Sequence, residues 1–246
     1  MNDQRILVIF GSESDARIYT PIIDEFDKNQ IKYDFRVASA HKAPHYLGEI
    51  LEGTDEKYRL VISGAGLAAH LPGVIASKTI RPVIGVPIDV NFGGIDSLLS
   101  IVQMPPGVPV LTVGIDCYRE AARLAVLMTK KYDHANIISR DEPKKIMEML
   151  GRFKAPFKVS TAFDADRINI NLLEAHKDSI NVPLIEPTAE NISGLSQMTK
   201  KGLWVGVGRM ENAALAAVEV LNHDGRYSEA LLRYRKETED KFRSRT

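Results

Sequence analysis

The sequence predicts an α/β protein built on a parallel β-sheet covered by helices. Two observations carry this. Over the first half, short β-branched apolar runs alternate with longer stretches of helical periodicity. The runs are also apolar at nearly every position rather than at alternate ones, as strands buried on both faces require.

The elements follow in order. Ile6–Phe10 (ILVIF) reads as the first strand, and an amphipathic stretch from about Ala16 to Asn29 follows GSESD. Phe35–Ala38 is a second strand and Ala43–Leu51 a helix. Leu60–Ser63 is a third strand, running into GAG, with a helix from about Ala68 to Ser77. Pro82–Val86 and Val108–Val113 are the fourth and fifth strands, separated by a helical segment over Gly94–Val102. Glu120–Lys131 closes this part as a helix. From Glu211 to Phe242 the composition is helical, with a break near Asn222–Gly225. Tyr227, Leu231 and Tyr234 there fall on one helical face.

Beyond His134 the chain reads as a worn second copy of the first part. Pro183–Leu221 follows the order of Pro82–Met128, and Gln103-Met104 to Gly114 spans the same interval as Gln197-Met198 to Gly208. Val159–Phe163 (VSTAF) can be laid on Val37–His41 (VASAH) without a gap, which puts Phe163 in the place of His41. The alternative is chance similarity between two α/β segments. The expected boundaries are 1–132 for a catalytic domain and 133–246 for a degenerate, truncated repeat with a C-terminal helix.

Composition narrows the function classes. The 246 residues are 44% hydrophobic and 26% charged, with formal net charge zero, so nothing points to nucleic acid or an acidic membrane. No apolar run approaches the roughly 20 residues needed to span a bilayer. The start of the chain lacks a signal-peptide layout. A single cysteine, Cys117, rules out an intrachain disulfide and makes a reducing, cytoplasmic setting the default. Cys117 at a helix entry has a catalytic reading, but no His lies near it in sequence, and packing is the simpler role.

Parallel sheets bind ligands in the loops at the carboxyl ends of their strands, so those loops are the candidates. In Gly11–Asp15 (GSESD) glycine permits a tight turn, Ser12 offers a hydroxyl and the following helix start attracts an anion. Asp15 can accept from sugar hydroxyls; the competing reading is an ordinary helix cap. In Ser39–Lys42 (SAHK), His41 is the side chain best suited to move protons near neutral pH, and Lys42 adds positive charge for a phosphate or carboxylate. Gly64–Gly73 (GAGLAAHLPG) lets backbone amides approach a ligand, with Ala68 and Ala69 leaving room for a planar ring. His70 either touches the ligand or holds the loop. No cluster has metal-ligand spacing.

Taken together, GSESD, SAHKAP, GAGLAAHLPG, PVIGVP and DSLLSIVQMPPGVPV, in this order over about the first 115 residues, resemble the PurE family of N5-carboxyaminoimidazole ribonucleotide mutases and aminoimidazole ribonucleotide carboxylases. AAHLPG and SIVQMP resemble its class I branch, the mutases. The resemblance implies a three-layer flavodoxin-like fold and an assembly with sites at subunit junctions. It implies transfer of a carboxyl group from N5 to C4 through carbon dioxide, with no cofactor and no metal. By position, His41 carries the protons; Ser12, Asp15, Ser39 and Lys42 hold the ribose phosphate. Gly64, Ala65, Gly66, Ala68, His70 and Leu71 line the base and carboxylate pocket. Three features depart from the pattern. Lys42 stands where class I members usually have arginine, as in the carboxylases that use carbon dioxide directly. Leu67 replaces a glycine. The helix motif beginning near an NAAL appears only in the second copy, at Asn212. The expected partners are a ribonucleotide and carbon dioxide, and the expected assembly is a homo-oligomer, a tetramer of fused pseudo-dimers, with Asn212 and its helix packing one copy against the other.

Overall fold

The computed structural model describes residues 5–186, 188, 195, 198 and 201–243. Its strands are β1 (Arg5–Phe10), β2 (Tyr33–Val37), β3 (Tyr58–Gly66), β4 (Val83–Ile88), β5 (Leu111–Thr112), β6 (Ala135–Ile138), β7 (Phe157–Ser160), β8 (Ile168–Asn171), β9 (Ile180–Asn181) and β10 (Leu203–Trp204). The helices are α1 (Ala16–Lys28), α2 (Pro44–Leu51), α3 (Thr54–Lys57), α4 (Leu71–Lys78), α5 (Ile95–Val102), α6 (Tyr118–Met128), α7 (Lys144–Arg152), α8 (Met210–Leu221) and α9 (Ser228–Arg243). All ten strands form one sheet, in the order β2-β1-β3-β4-β5-β10-β9-β8-β6-β7. The order 2-1-3-4-5 of its first half is that of flavodoxin-like sheets. Every pairing within a half is parallel, and the halves meet antiparallel where Trp204 faces Thr112. No helix among the described residues is long and apolar enough to cross a membrane.

The apolar runs are explained by burial on both faces. From β1, Ile6, Val8 and Phe10 pack with Ile18, Ile22 and Phe26 of α1 and with α6. Leu7 and Ile9 face the other way, into a cluster with Leu47 of α2 and Leu71, Ile75 and Ala76 of α4. The first core continues without a break through Ala135, Ile137, Ile170 and Leu203 to α8. A boundary at 132/133 would fall in the link between α6 and β6, but sheet and core both run across it.

Most expected elements shift their limits by a few residues, and three of the shifts have a local cause or bear on the site. The fifth strand shrinks from Val108–Val113 to Leu111–Thr112, because Val108 N–H turns back to the Pro105 carbonyl, Gly107 has φ 91 and Pro109 has no N–H to donate. The helix expected from Ala68 starts at Leu71, since Leu67 has φ 56 and Pro72 favours a first helical turn. The helix after β5 starts at Tyr118, two residues before the expected Glu120.

The second half of the sheet has different faces. Ala135, Ile137, Ile168, Ile170, Ile180 and Leu203 join the core beneath the helices. The alternate positions carry Asn136, Asn169, Asn171 and Asn181, all buried. Asn136 Nδ2 donates to Asn169 Oδ1 at 2.8 Å and Asn171 Nδ2 to Asn181 Oδ1 at 3.0 Å. Their remaining amide hydrogens reach loop carbonyls at Ala162, Asp164, Glu174 and His176. The asparagines therefore satisfy loop backbone on this face, a task that helices α2, α4 and α5 make unnecessary in the first half.

Read inward from its outer edge, each half runs in the same order, and each sends one helix side chain across the seam to a backbone N–H of the other. Asn212, eight residues after Trp204, accepts at Oδ1 from the Gly107 N–H (2.8 Å) and donates from Nδ2 to the Pro105 carbonyl (2.9 Å). Glu120, eight residues after Thr112, accepts from the Gly202 N–H at 3.2 Å. Laid on each other by the strand ladders, the two halves match in a register different from the one expected from sequence. Phe157 opens β7 as Tyr33 opens β2, and in that superposition, counted without a gap, Ala165 falls opposite His41. Leu203 takes the place of Leu111, which pairs Gly114 with Gly206 rather than Gly208. The matching Gln197 lies outside the described residues.

Candidate active site

Four loops at the carboxyl ends of β1 to β4 enclose a pocket of about 280 Å³. In the first loop, Ser12 caps a single 3₁₀ turn, Glu13–Asp15, by accepting from the Ser14 N–H at 3.2 Å; the Ser14 hydroxyl also donates to Ser12 Oγ at 2.8 Å. The capping reading thus holds for Ser12. It fails for Asp15, which precedes α1 without a side-chain cap bond. Asp15 is buried, and burial pushes its carboxyl above the ordinary range against the pull of the Ser12 backbone and Arg17.

The second loop folds back on Ser39, whose Oγ accepts from Lys42 N–H at 3.2 Å and whose carbonyl accepts from Ala43 N–H at 3.0 Å. This turn presents His41 to the third loop. His41 Nε2 lies 2.8 Å from His70 Nδ1, with the rings nearly perpendicular at 79°. At that distance one imidazole donates and the other accepts, so a proton is held between them. His70 thus holds its loop to His41 and also lines the pocket.

Ser12, Asp15, Ser39, His41, Lys42, Ala65, Gly66, Ala68, His70 and Leu71 all line this pocket. Gly64 does not. It sits inside β3, where an added Cβ would fall 2.2 Å from the Phe10 ring, so its small size serves packing. Sequence reasoning left Gly11, Ser14, Ala40, Leu67 and Val90 out of the site. The first four lie inside motifs already singled out. Val90 lies in the segment after Val86, which its place at the end of the fourth strand makes a candidate ligand loop; which of its residues reaches the pocket is decided by the topology. An added Cβ on Gly66 would lie 2.4 Å from Val90 Cγ2, so Val90 fills the space above that glycine.

Other candidates are weaker. Cys117 is half-buried, away from the pocket lining, and burial, with Glu120 and Asp116 adding to it, pushes its thiol upward, the opposite of an activated nucleophile. Phe163 stacks on His176 with ring centroids 4.2 Å apart. A larger hollow of about 750 Å³ is lined by Arg5, Asp34, Arg81 and Asp224. The four charges named are already engaged: Arg5 pairs with Asp34, Arg81 donates to the Asp55 and Asn222 carbonyls, and Asp224 pairs with Arg226.

The AIR carboxylase family model matches residues 5–160. The N5-carboxyaminoimidazole ribonucleotide mutase of Methanocaldococcus jannaschii is 50% identical over 121 residues, covering 49% of this chain and 76% of that protein. The mutase of Pseudomonas aeruginosa is 42% identical over 150 residues, covering 60% of this chain and 87% of that protein. The probable mutase of Methanothermobacter thermautotrophicus is 36% identical over 181 residues, or 67% of this chain and 53% of that one. Among solved structures, Treponema denticola PurE superposes with a TM-score of 0.45 at 24% identity, covering 50% of this chain and 78% of the other. With the family model spanning well over half of its residues, including all four pocket loops, this chain belongs to the AIR carboxylase family.

Proposed function

We propose that the protein is an N5-carboxyaminoimidazole ribonucleotide mutase of purine biosynthesis, with His41 as the proton carrier. The observation that carries the reading is the His41–His70 pair at the mouth of a pocket made of hydroxyls, a lysine and close-approach backbone. The carbamate N5–C bond breaks, N5 takes a proton from His41, and carbon dioxide stays in the pocket. C4 then attacks it, and the C4 proton returns to His41, so the proton count closes. Confinement supplies the proximity that so weak an electrophile needs. Ser12, Asp15, Ser39 and Lys42 hold the ribose phosphate, while Ala65, Gly66, Ala68, His70 and Leu71 surround the base and the migrating carboxylate. Gly64 supports this wall from behind.

Paired assays test the reading. One supplies the N5-carboxylated ribonucleotide without bicarbonate; the other supplies aminoimidazole ribonucleotide with excess bicarbonate. Turnover of the first, reduced by at least about a hundredfold in His41→Asn, is the expected result, in line with the loss of a proton-transfer group. Turnover only with bicarbonate would make the protein a direct carboxylase, and no turnover of either substrate would overturn the proposal.

We further propose that residues 133–246 are a reduced copy of the catalytic half that replaces a neighbouring subunit. The mirrored strand order supports this, as does the placement of Asn212 and Glu120, each eight residues beyond its member of the facing pair Trp204–Thr112 and each reaching a backbone N–H across the seam. Among the described residues this copy has no counterpart of the His41–His70 pair, so we assign one site to each chain. The expected assembly is a cytoplasmic tetramer; light scattering that gives eight chains or one overturns it.

A further inference from the structure

We propose that Asp116, acting with Arg17, is a positioning residue that sets the Val90 wall of the pocket. Asp116 lies in the turn between β5 and α6 with φ 53, and its N–H donates to the Pro87 carbonyl at 2.9 Å. The turn before α8 has the same backbone: Gly208 has φ 64, and its N–H donates to the Pro183 carbonyl at 2.9 Å. Glycine is the least strained residue in that conformation, so the backbone does not call for an aspartate. What Asp116 adds is its carboxylate.

That carboxylate closes a ring that joins α1 to the loops after β4 and β5. Asp116 Oδ1 accepts from the Asp89 N–H at 3.0 Å, and Oδ2 pairs with Arg17 Nη1 at 2.7 Å. Arg17 Nη2 in turn donates to the Asp89 carbonyl at 2.8 Å. Both backbone groups of Asp89 are thus held by side chains from α1 and from the turn after β5. Asp89 is the residue at which the chain leaves β4, and Val90, which fills the space above Gly66, comes next. The following stretch turns sharply, with φ of 52, 62 and 75 at Phe92, Gly93 and Gly94; Gly94 is held by its N–H to the Asn91 carbonyl and by the Ser97 hydroxyl donating to the Gly94 carbonyl, both at 2.9 Å, but neither bond reaches Asp89 or Val90. An exposed ion pair alone stabilises little. The ring matters because it fixes where Val90 stands over the ligand pocket.

The kinetic arm of the test rests on the mutase reading; a second arm does not. Asp116→Gly keeps the left-handed turn and removes only the carboxylate. KM for the N5-carboxylated ribonucleotide should rise about tenfold with kcat nearly unchanged, the result of misplacing a binding wall by a fraction of an ångström. Amide exchange of residues 88–94 in the free protein should accelerate about tenfold, while exchange in β3 stays as in the wild type. Asp116→Asn, which keeps the acceptor for Asp89 and weakens the Arg17 pair, should fall between. Arg17→Met combined with Asp116→Gly should be no worse than Asp116→Gly alone, because both break one ring. Wild-type KM and wild-type exchange in Asp116→Gly would overturn the proposal. So would a lowered melting temperature with no change in exchange at 88–94. If the wild-type protein turns over neither substrate, the mutase reading fails, and the exchange arm still decides this one.

Discussion

Replacing Asn212 with alanine tests whether the two halves of the sheet are one cooperative structure. Asn212 is 1% exposed and makes two hydrogen bonds across the seam, to the Gly107 N–H and the Pro105 carbonyl. Gly107 is buried, so its N–H would be left without a partner, at about 1–3 kcal/mol. Pro105 is exposed and its carbonyl can turn to water, so that loss is an ordinary hydrogen bond of about 1 kcal/mol. The sum, about 2–4 kcal/mol, corresponds to a fall in Tm of about 4–16 °C for a chain of this size. Urea unfolding can be followed by the fluorescence of the one tryptophan, Trp204, which is buried and faces Thr112 at the seam, and in parallel by far-UV circular dichroism. The expected result is one coincident transition for both probes, displaced by this amount in the variant. Asn212→Asp keeps the acceptor, loses the donor and buries a charge, so it should cost at least as much. A shift below about 0.5 kcal/mol, within the range of ordinary surface substitutions, would refute the account of the seam. Separate transitions for Trp204 and for the circular dichroism signal would refute the single core.

Two further outcomes follow from buried groups. Gly64→Ala would force a methyl group to 2.2 Å from the buried Phe10 ring, and overpacking of this kind costs about 1–3 kcal/mol, readable as a lower urea midpoint; an unshifted midpoint would mean that Phe10 has room to move. Glu219 is buried beneath α9, and desolvation raises its carboxyl to about 8 against the pull of Arg235. Its proton is therefore bound more tightly in the folded chain than in the unfolded one. The resulting stability is complete below pH 4.5 and is lost as the pH climbs to 8, at no more than about 1.4 kcal/mol per pH unit. Glu219→Gln should flatten this part of the stability profile, and an unchanged slope between pH 5 and 8 would show that Glu219 is ionised throughout.

The sequence by itself determined the parallel sheet of the first half, because a strand buried on both faces must be apolar throughout, and ILVIF can satisfy nothing else. It also determined most of the pocket, since ligand loops at strand ends announce themselves as short runs of Gly, Ser and His between periodic segments. Only the tertiary structure decided the rest. The extension of one core across residue 132 depends on the β5–β10 pairing, a single facing pair with no local signal. In the second half, Asn136, Asn169, Asn171 and Asn181 occupy alternate strand positions, and nothing in ININ says that these amides will be buried rather than facing water. Their role appears only when the loop carbonyls they satisfy are in place. The Arg17–Asp89–Asp116 ring joins residues that are 72 and 99 positions from Arg17, and Val90 enters the pocket through it. Local pattern records the period of burial within an element. The partner of a long-range hydrogen bond is set by how elements pack, which is why those contacts were invisible until the fold brought their ends together.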